Sequence, residues 1–498
     1  MTRTSINFNL KSLSRRDLLI LAGTTLLVSV IYLLVSRFVY ALGFPLDDSW
    51  IHQTYARNLA LHGEWSFRAG TPSAGSTSPL WSALLALGFL LRLAPYVWTY
   101  LLGGLILLAL AILLESAARV LVASYRPKFP WVGIFIALEW HFVWAALSGM
   151  ETLLHGLLLT SVLILLLTRA RRYLLMGLLT GLAVWARPDG LTLLGPVMLV
   201  IFLAEQDTAA MLSALSKYLL GFAALFSFYI FFNLAMGGTP MPNTFYAKQA
   251  EYTYWQAKPL LERAGQLSLQ LFVGPSLALA PGIFAWAFQA VHKKIWERLA
   301  VLLWALGYFG LYISRLPVYQ HGRYIMPAMP IFFFFGLLAF AEFDKSKTFK
   351  RYHWIGQAVW RGALAMLTAG FIFLGANSYA QDVAFIESEM VVSAKWAAQN
   401  LPPEAIIAAH DIGALGFFDG HELIDLAGLI SPEVIPIIHD EPRLAQYLDQ
   451  RGVEYLIAFP NFYSELTRSS SNLFSTNSPV TRNLGQQNMV IYHWKRPE

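Results

Sequence analysis

The 498-residue chain contains no cysteine, which excludes disulfides and thiol chemistry and suits a protein facing an oxidising compartment. Charge is scarce as well. Asp, Glu, Lys and Arg make up 13% of the residues, against about a quarter in an ordinary soluble domain, so a soluble globular chain is excluded. There is no Gly-rich loop ending in Lys-Ser/Thr, and hence no cradle for nucleotide phosphates. Internal repeats and low-complexity tracts are missing, and "RSSSNLFSTNS" reads as a flexible loop.

What is abundant is apolar sequence: 56% of residues are hydrophobic and the mean hydropathy is +0.51. Several runs reach the about 17–25 residues needed to cross a bilayer. The first, "LLILAGTTLLVSVIYLLVSRFVYAL", is too long for a signal-peptide core and lacks a small-residue cleavage site, so it reads as a retained span. Arg15 and Arg16 precede it, which puts the N-terminus in the cytoplasm. Further spans are expected near 97–121, 131–148, 152–168, 173–187, 190–204, 214–236, 268–290, 299–315, 324–343 and 355–376, about eleven in all. With that count the basic clusters Arg126/Lys128, Arg169/Arg171/Arg172, Lys293/Lys294/Arg298 and Lys345/Lys347/Lys350/Arg351 all face inside. The short apolar piece 80–91 reads as an interfacial or re-entrant helix. The expected fold is a polytopic α-helical membrane module over 1–379, then a soluble extracytoplasmic α/β domain over 380–498. In that domain "AIIAAH", "ELIDLAG", "VEYLIAF" and "MVIYHW" read as short strands, with helices near 388–400 and 441–451.

The polar residues gather at turns expected on the outer side. Loop 43–78, behind the first span, carries adjacent Asp47 and Asp48, and then Ile51, Tyr55 and Leu59 at four-residue spacing. That spacing predicts an amphipathic helix lying along the membrane surface. Acids at its N-terminus would cap it and complement its dipole. One aspartate suffices for a cap, however, and the same helix terminus keeps a carboxylate ionised, as a general base requires. "SGMET" puts Glu151 between two spans, as a site residue or as ordinary turn polarity. In "WARPDG", Asp189 and Gly190 are normal turn chemistry, while Arg187 suits a phosphate or a lipid headgroup equally. "GGTPMPNTFYAKQAEYTYW" offers Lys248 for a phosphate and Asn243, Tyr246, Gln249 and Tyr252 for a hydroxyl-rich ligand, although tyrosines are common at membrane interfaces. "YQHGRYIMP" adds His321 and Arg323, as phosphate ligands or lipid anchors. In the C-terminal domain Asp411, Asp419, His421 and Asp425 read as strand-end turn residues in preference to a glycan or ion site.

The stretch "DDSWIHQTYARNLALHGEWSFRAGTPSAGSTSPLW" resembles the first extracytoplasmic loop of bacterial GT-C-fold glycosyltransferases. The nearest branch is that of actinobacterial cell-wall arabinofuranosyltransferases and related mannosyltransferases. "SGMET", "ARPDG", "TPMPNTFYAK", "GRYIMP" and "HDIGALGFF…ELIDLAGL" follow in the order of that branch, so the resemblance spans nearly the whole chain. It implies a multipass enzyme of the bacterial plasma membrane that takes a sugar from a polyprenyl-phosphate-linked donor, with inversion, on the outer face. The acceptor hydroxyl would belong to a glycan, a lipid or a protein; membrane lipids are further partners and nucleic acid is not. The resemblance assigns the general base to Asp47 or Asp48, favouring Asp47 as the first acid of the pair. Arg187, Lys248, Arg323 and His321 become candidates for the donor phosphate, and His52, Glu151, Asn243 and Tyr246 for the donor or acceptor sugar. Asp48 and Glu151 are oxygen ligands suited to Mg or Mn, but metal dependence varies among such enzymes and no cofactor is assigned. The loop departs from the pattern at "TPSAGST", where an acid and an aromatic are common, which sets its acceptor side apart from that of the arabinosyl enzymes.

Three rivals are weighed. A transporter or lipid-linked glycan flippase predicts ionisable residues in mid-membrane, broken helices and two related halves, whereas the charges here sit at span ends. A glycan polymerase or oligosaccharyltransferase differs in the size of its donor. A scaffold acting through the C-terminal domain would tolerate loss of Asp47.

Overall fold

Long apolar runs become helices because only a helix or a closed barrel satisfies its backbone polar groups away from water. The computed structural model describes residues 13–205, 207–343 and 353–496, so the expected cluster Lys345, Lys347, Lys350 and Arg351 lies outside the described residues. Among the described residues four helices are long and apolar enough to cross a membrane: Arg15–Val39, Pro95–Leu121, Thr208–Gly237 and Ile355–Asn400. The pair Leu260–Phe272 and Pro275–His292, bent by 93°, makes a fifth if it counts as one span.

The expected eleven is not reached on length. Thr152–Leu167, Tyr173–Ala186, Leu194–Ala204 and Met329–Phe343 have 11 to 16 residues. At 1.5 Å per residue none exceeds about 24 Å, short of a hydrocarbon core of about 30 Å. The run at 131–148 is two helices, Trp131–Leu138 and Trp140–Leu147. Between them the buried Glu139 accepts the N–H groups of His141 and Phe142, so one helix ends and a second is capped. A hydropathy window sums across such a cap. Around the bundle Leu19, Leu26, Phe38, Phe228, Phe231 and Phe373 point outward, a surface suited to lipid.

The boundary expected near 380 lies inside a helix. His353–Ile386 runs through a π-helical turn, Glu387–Val391, into Val392–Asn400. There the fully buried Glu389 accepts hydrogen bonds from Thr476, Thr481, Asn488 and the Met489 N–H, fastening the rod to the following sheet. That sheet has the order Glu422–Asp425, Ile406–Ala409, Tyr455–Ala458, Val490–His493, Ser471–Ser475. The first three strands are parallel and the last two pairings antiparallel. The crossover helix Glu441–Gln450 buries Leu444, Ala445 and Leu448 against it. Ser471–Ser475 falls in "RSSSNLFSTNS", so part of the expected loop is an edge strand. Residues beyond the carboxyl ends of the parallel strands reach the first loop, where an open α/β sheet commonly forms its crevice.

The first-loop helix, Asp48–His62, does not lie on a surface. Its residues Ser49–Ala56 and Asn58 are buried, enclosed by Pro79–Leu90 on one side and Gly413–Phe418 on the other. Trp50 packs on Phe417 and Phe418 with ring centroids 4.8 and 4.6 Å away.

Candidate active site

Asp47 occupies the N-cap position of its helix but makes no capping bond. Its carboxylate instead accepts the Gly413 N–H on Oδ2 at 2.6 Å and the Ala414 N–H on Oδ1 at 2.8 Å. The approach requires glycine, because a Cβ on residue 413 would stand 2.0 Å from the Asp47 carbonyl oxygen. Burial, then the charge of Asp411, push the Asp47 carboxyl up to about 8, against the pull of the two N–H donors. Asp411 itself follows the strand Ile406–Ala409, and burial raises its carboxyl, with His410 opposing and Asp48 and Glu251 reinforcing the shift.

Asp48 turns the other way. Its side chain is 34% exposed, and Oδ2 stands 2.8 Å from Arg323 Nη2. Burial alone would raise this carboxyl, but Arg323 and Lys248 hold it below the usual range. Arg323 also donates through Nη2 to the Tyr324 hydroxyl, at 3.1 Å. Its Nε and Nη1 are buried with no hydrogen-bond partner. The Tyr324 ring gathers three cations: Arg323 at 5.0 Å, Lys248 at 5.4 Å and Arg187 at 5.6 Å from its centroid. Beside them opens a cavity of about 300 Å³, with Lys248, Arg315, Thr77 and Gln249 on its polar side and Met241, Phe245, Leu311 and Leu316 on its apolar side.

Arg187, Asp189 and Tyr312 on the cavity wall belong to a buried network. Glu151 is fully buried, with Oε1 3.0 Å from Arg187 Nη1 and Oε2 3.3 Å from His52 Nε2. His52 Nδ1 pairs with Ser82 Oγ at 2.9 Å. Arg187 further donates from Nε to Asp189 at 3.2 Å and from Nη2 to the Tyr312 hydroxyl at 3.2 Å. Tyr308 and Tyr312 both donate to Asp189 Oδ2, at 2.5 and 2.6 Å. The "SGMET" turn enters this network because Gly149 takes a left-handed φ of 78°, its carbonyl accepting the Trp81 indole N–H at 2.8 Å.

The expected residues therefore divide. Lys248 and Arg187 line the cavity, and Arg323 shares the Tyr324 ring with them and pairs with Asp48. Asp47 is buried against Gly413 and Ala414, and Glu151 and His52 are linked to the cavity through Arg187. His321 stands apart, its Nε2 2.8 Å from Asp382 Oδ2, which also accepts the Trp144 indole N–H. Asn243 donates to the Leu429 carbonyl at 3.0 Å and so stitches its loop to the C-terminal domain. Tyr246 is half-buried against Phe245. Asp425 accepts the N–H groups of Ala427, Leu429 and Ile430, a turn role. Asp48 and Glu151 answer to different cations, and among the described residues no group of three or more His and acidic side chains could hold a metal ion. The residue set thus does not fit the divalent ion considered for it. Tyr308, Tyr312, Tyr324 and Arg315 were not anticipated. The four-residue spacing of Tyr308 and Tyr312 on Trp296–Arg315 was the available sign of a shared polar face.

Comparison with known proteins adds three findings. The profile of a family described as "Domain of unknown function (DUF8728)" matches residues 378–492. No curated protein matches the sequence. Among solved structures, the chain is similar to ArnT from Cupriavidus metallidurans bound to undecaprenyl phosphate, with a TM-score of 0.57 and 16% identity over 94% of this chain and 98% of that one. The apo form of the same protein gives 0.59 and 16% over 94% and 97%. The apo oligosaccharyltransferase of Archaeoglobus fulgidus gives 0.58 and 11% over 90% of this chain and 70% of that one. The fold is that of these GT-C proteins.

Proposed function

We propose that the protein transfers a sugar from a polyprenyl-phosphate-linked donor to an acceptor hydroxyl, with inversion, on the extracytoplasmic face of the membrane. The observation that carries this reading is Arg323. A buried guanidinium with two unpartnered donors is costly unless an acceptor arrives, and a phosphate is the acceptor that best matches its charge. Lys248 lies next to it, and the adjoining cavity offers apolar walls for the first units of a lipid chain. The similarity to a fold that holds undecaprenyl phosphate in ArnT supports the same class of lipid.

In this reading the new bond forms between the acceptor oxygen and the anomeric carbon as the bond from that carbon to the phosphate oxygen breaks. The acceptor proton passes to a carboxylate. Polyprenyl phosphate departs with the added negative charge, which Arg323 and Lys248 neutralise. Inversion needs the base on the face opposite the leaving group. Asp48, bonded to Arg323, is on the phosphate side and acts as the anchor of that guanidinium. Asp47, held by two N–H groups of the C-terminal domain, is the general base, and a carboxyl near 8 is matched to proton abstraction close to neutral pH. Arg187 is then a structural support and not a phosphate ligand. Arabinofuranose and mannose donors are the first to try, given the resemblance of the loop.

The test is turnover by purified protein with a panel of polyprenyl-phosphate pentoses and hexoses. Asp47→Asn should lower kcat by about 10²–10⁴-fold while the circular dichroism spectrum is unchanged. Consumption of no donor, or full activity in this variant, overturns the assignment.

A further inference from the structure

A second pocket, of about 340 Å³, opens between the first-loop helix and the C-terminal domain. The helix contributes Arg57 and His62, the hairpin after it Phe67 and Arg68, and the C-terminal domain Asp419 and Leu423. His62 lies fourteen residues from Asp48 on one helix, so about 21 Å from the transfer site at 1.5 Å per residue.

Asp419 is the decisive side chain. It is 1% exposed, its Oδ1 stands 2.6 Å from His421 Nδ1, and its Oδ2 has no hydrogen-bond partner. His421 is fixed from the far side, since its Nε2 donates to the Pro402 carbonyl at 2.7 Å. The carboxylate therefore cannot turn to satisfy its second oxygen without breaking that pairing. The cations nearby are already engaged. Arg57 donates to the Phe417 and Gly416 carbonyls at 2.7 and 3.1 Å and lies over the Phe417 ring, while Arg68 pairs with Glu422 at 2.7 Å. The unpartnered carboxylate oxygen accepts a hydroxyl donor, and Phe67 and Leu423 add apolar surface to the pocket.

We propose that this pocket binds a neutral, hydroxyl-rich carbohydrate, one of whose hydroxyls donates to Asp419 Oδ2. As a carbohydrate site it stands on its own geometry; as the distal subsite of the acceptor glycan it rests on the transferase reading above. Isothermal titration of the full-length protein in nanodiscs with mannohexaose, arabinohexaose and maltohexaose tests it, with inorganic phosphate as the anionic control. At least one hexasaccharide should bind, and its affinity should fall about tenfold or more in Asp419→Asn. Ala69→Trp, an exposed position at the pocket rim, should block binding equally and guards against misfolding of the first variant. Binding of none of the sugars, binding that survives both variants, or a preference for phosphate overturns the proposal. Sugar binding without any donor turnover would remove the transferase reading and leave this site standing; turnover without sugar binding would do the reverse.

Discussion

Arg187 in "WARPDG" and Arg323 in "GRYIMP" are twins as sequence features. Each is a lone cation at a turn beside a short apolar helix, and each ends up almost fully buried, 8% and 6% exposed. Their surroundings are opposite. All three nitrogens of Arg187 find acceptors, on Glu151, Asp189 and Tyr312. Of the Arg323 nitrogens only Nη2 does. Burial and charge are thus poor guides to a binding role; the number of acceptors within reach of the guanidinium decides it. The first arginine neutralises its own protein's carboxylates, and the second is left with capacity for something that arrives.

The sharpest way to break this contrast is to remove each arginine in turn. Arg187→Met leaves Glu151 and Asp189 as buried carboxylates without their guanidinium, and should destabilise the protein by about 3–5 kcal/mol in denaturant unfolding. An unchanged unfolding midpoint would place Arg187 with the ligand-binding cations instead. Arg323→Gln should unfold much like wild type yet lose about 10²–10³-fold in kcat. Destabilisation as large as that of the Arg187 variant would make both arginines structural. Lys248→Met should act in the same direction but more weakly, with about a tenfold rise in donor KM, since an ammonium meets phosphate as a point charge. The smallest difference between variants is a displacement of the pH profile. With Asp47 as the proposed base and its carboxyl at about 8, kcat/KM should climb about tenfold per unit below that value and level off above it, because a base must be ionised to act. Asp411→Asn removes a like charge, so the rising limb should move to lower pH; a limb that stays in place would dissociate Asp411 from the base.

How much of this was legible in the sequence follows from the range of each interaction. The long helices Arg15–Val39, Pro95–Leu121 and Thr208–Gly237 announce themselves through uninterrupted apolar runs. "AIIAAH", "ELIDLAG", "VEYLIAF" and "MVIYHW" hold the strands Ile406–Ala409, Glu422–Asp425, Tyr455–Ala458 and Val490–His493, because buried strands are short apolar runs between turns. Ser471–Ser475 escaped, since an exposed edge strand needs no apolar face and is held mainly by its ladder to Val490–His493. The break at Glu139 escaped because one capping side chain outweighs the hydropathy around it. In the site, the polar turns could be picked out one by one, but not sorted. Nothing local in "LDDSW" says that Asp47 faces Gly413 while Asp48 faces Arg323, and nothing in "ARPDG" says that two tyrosines more than a hundred residues away wait for Asp189.

The pairing of Asp47 with Gly413 and Ala414 spans 366 and 367 positions of the chain. At a synthesis rate of about 5–20 residues per second, the donors that orient the carboxylate emerge roughly 20–70 s after the carboxylate itself. Throughout that interval the growing polypeptide already has its first loop in place but has no means of aiming the acid in it. Under the proposed role of Asp47, an interrupted or prematurely terminated product would lack the two N–H groups that aim the acid. On that reading competence arrives only with the last fifth of the chain, which carries Gly413 and Ala414.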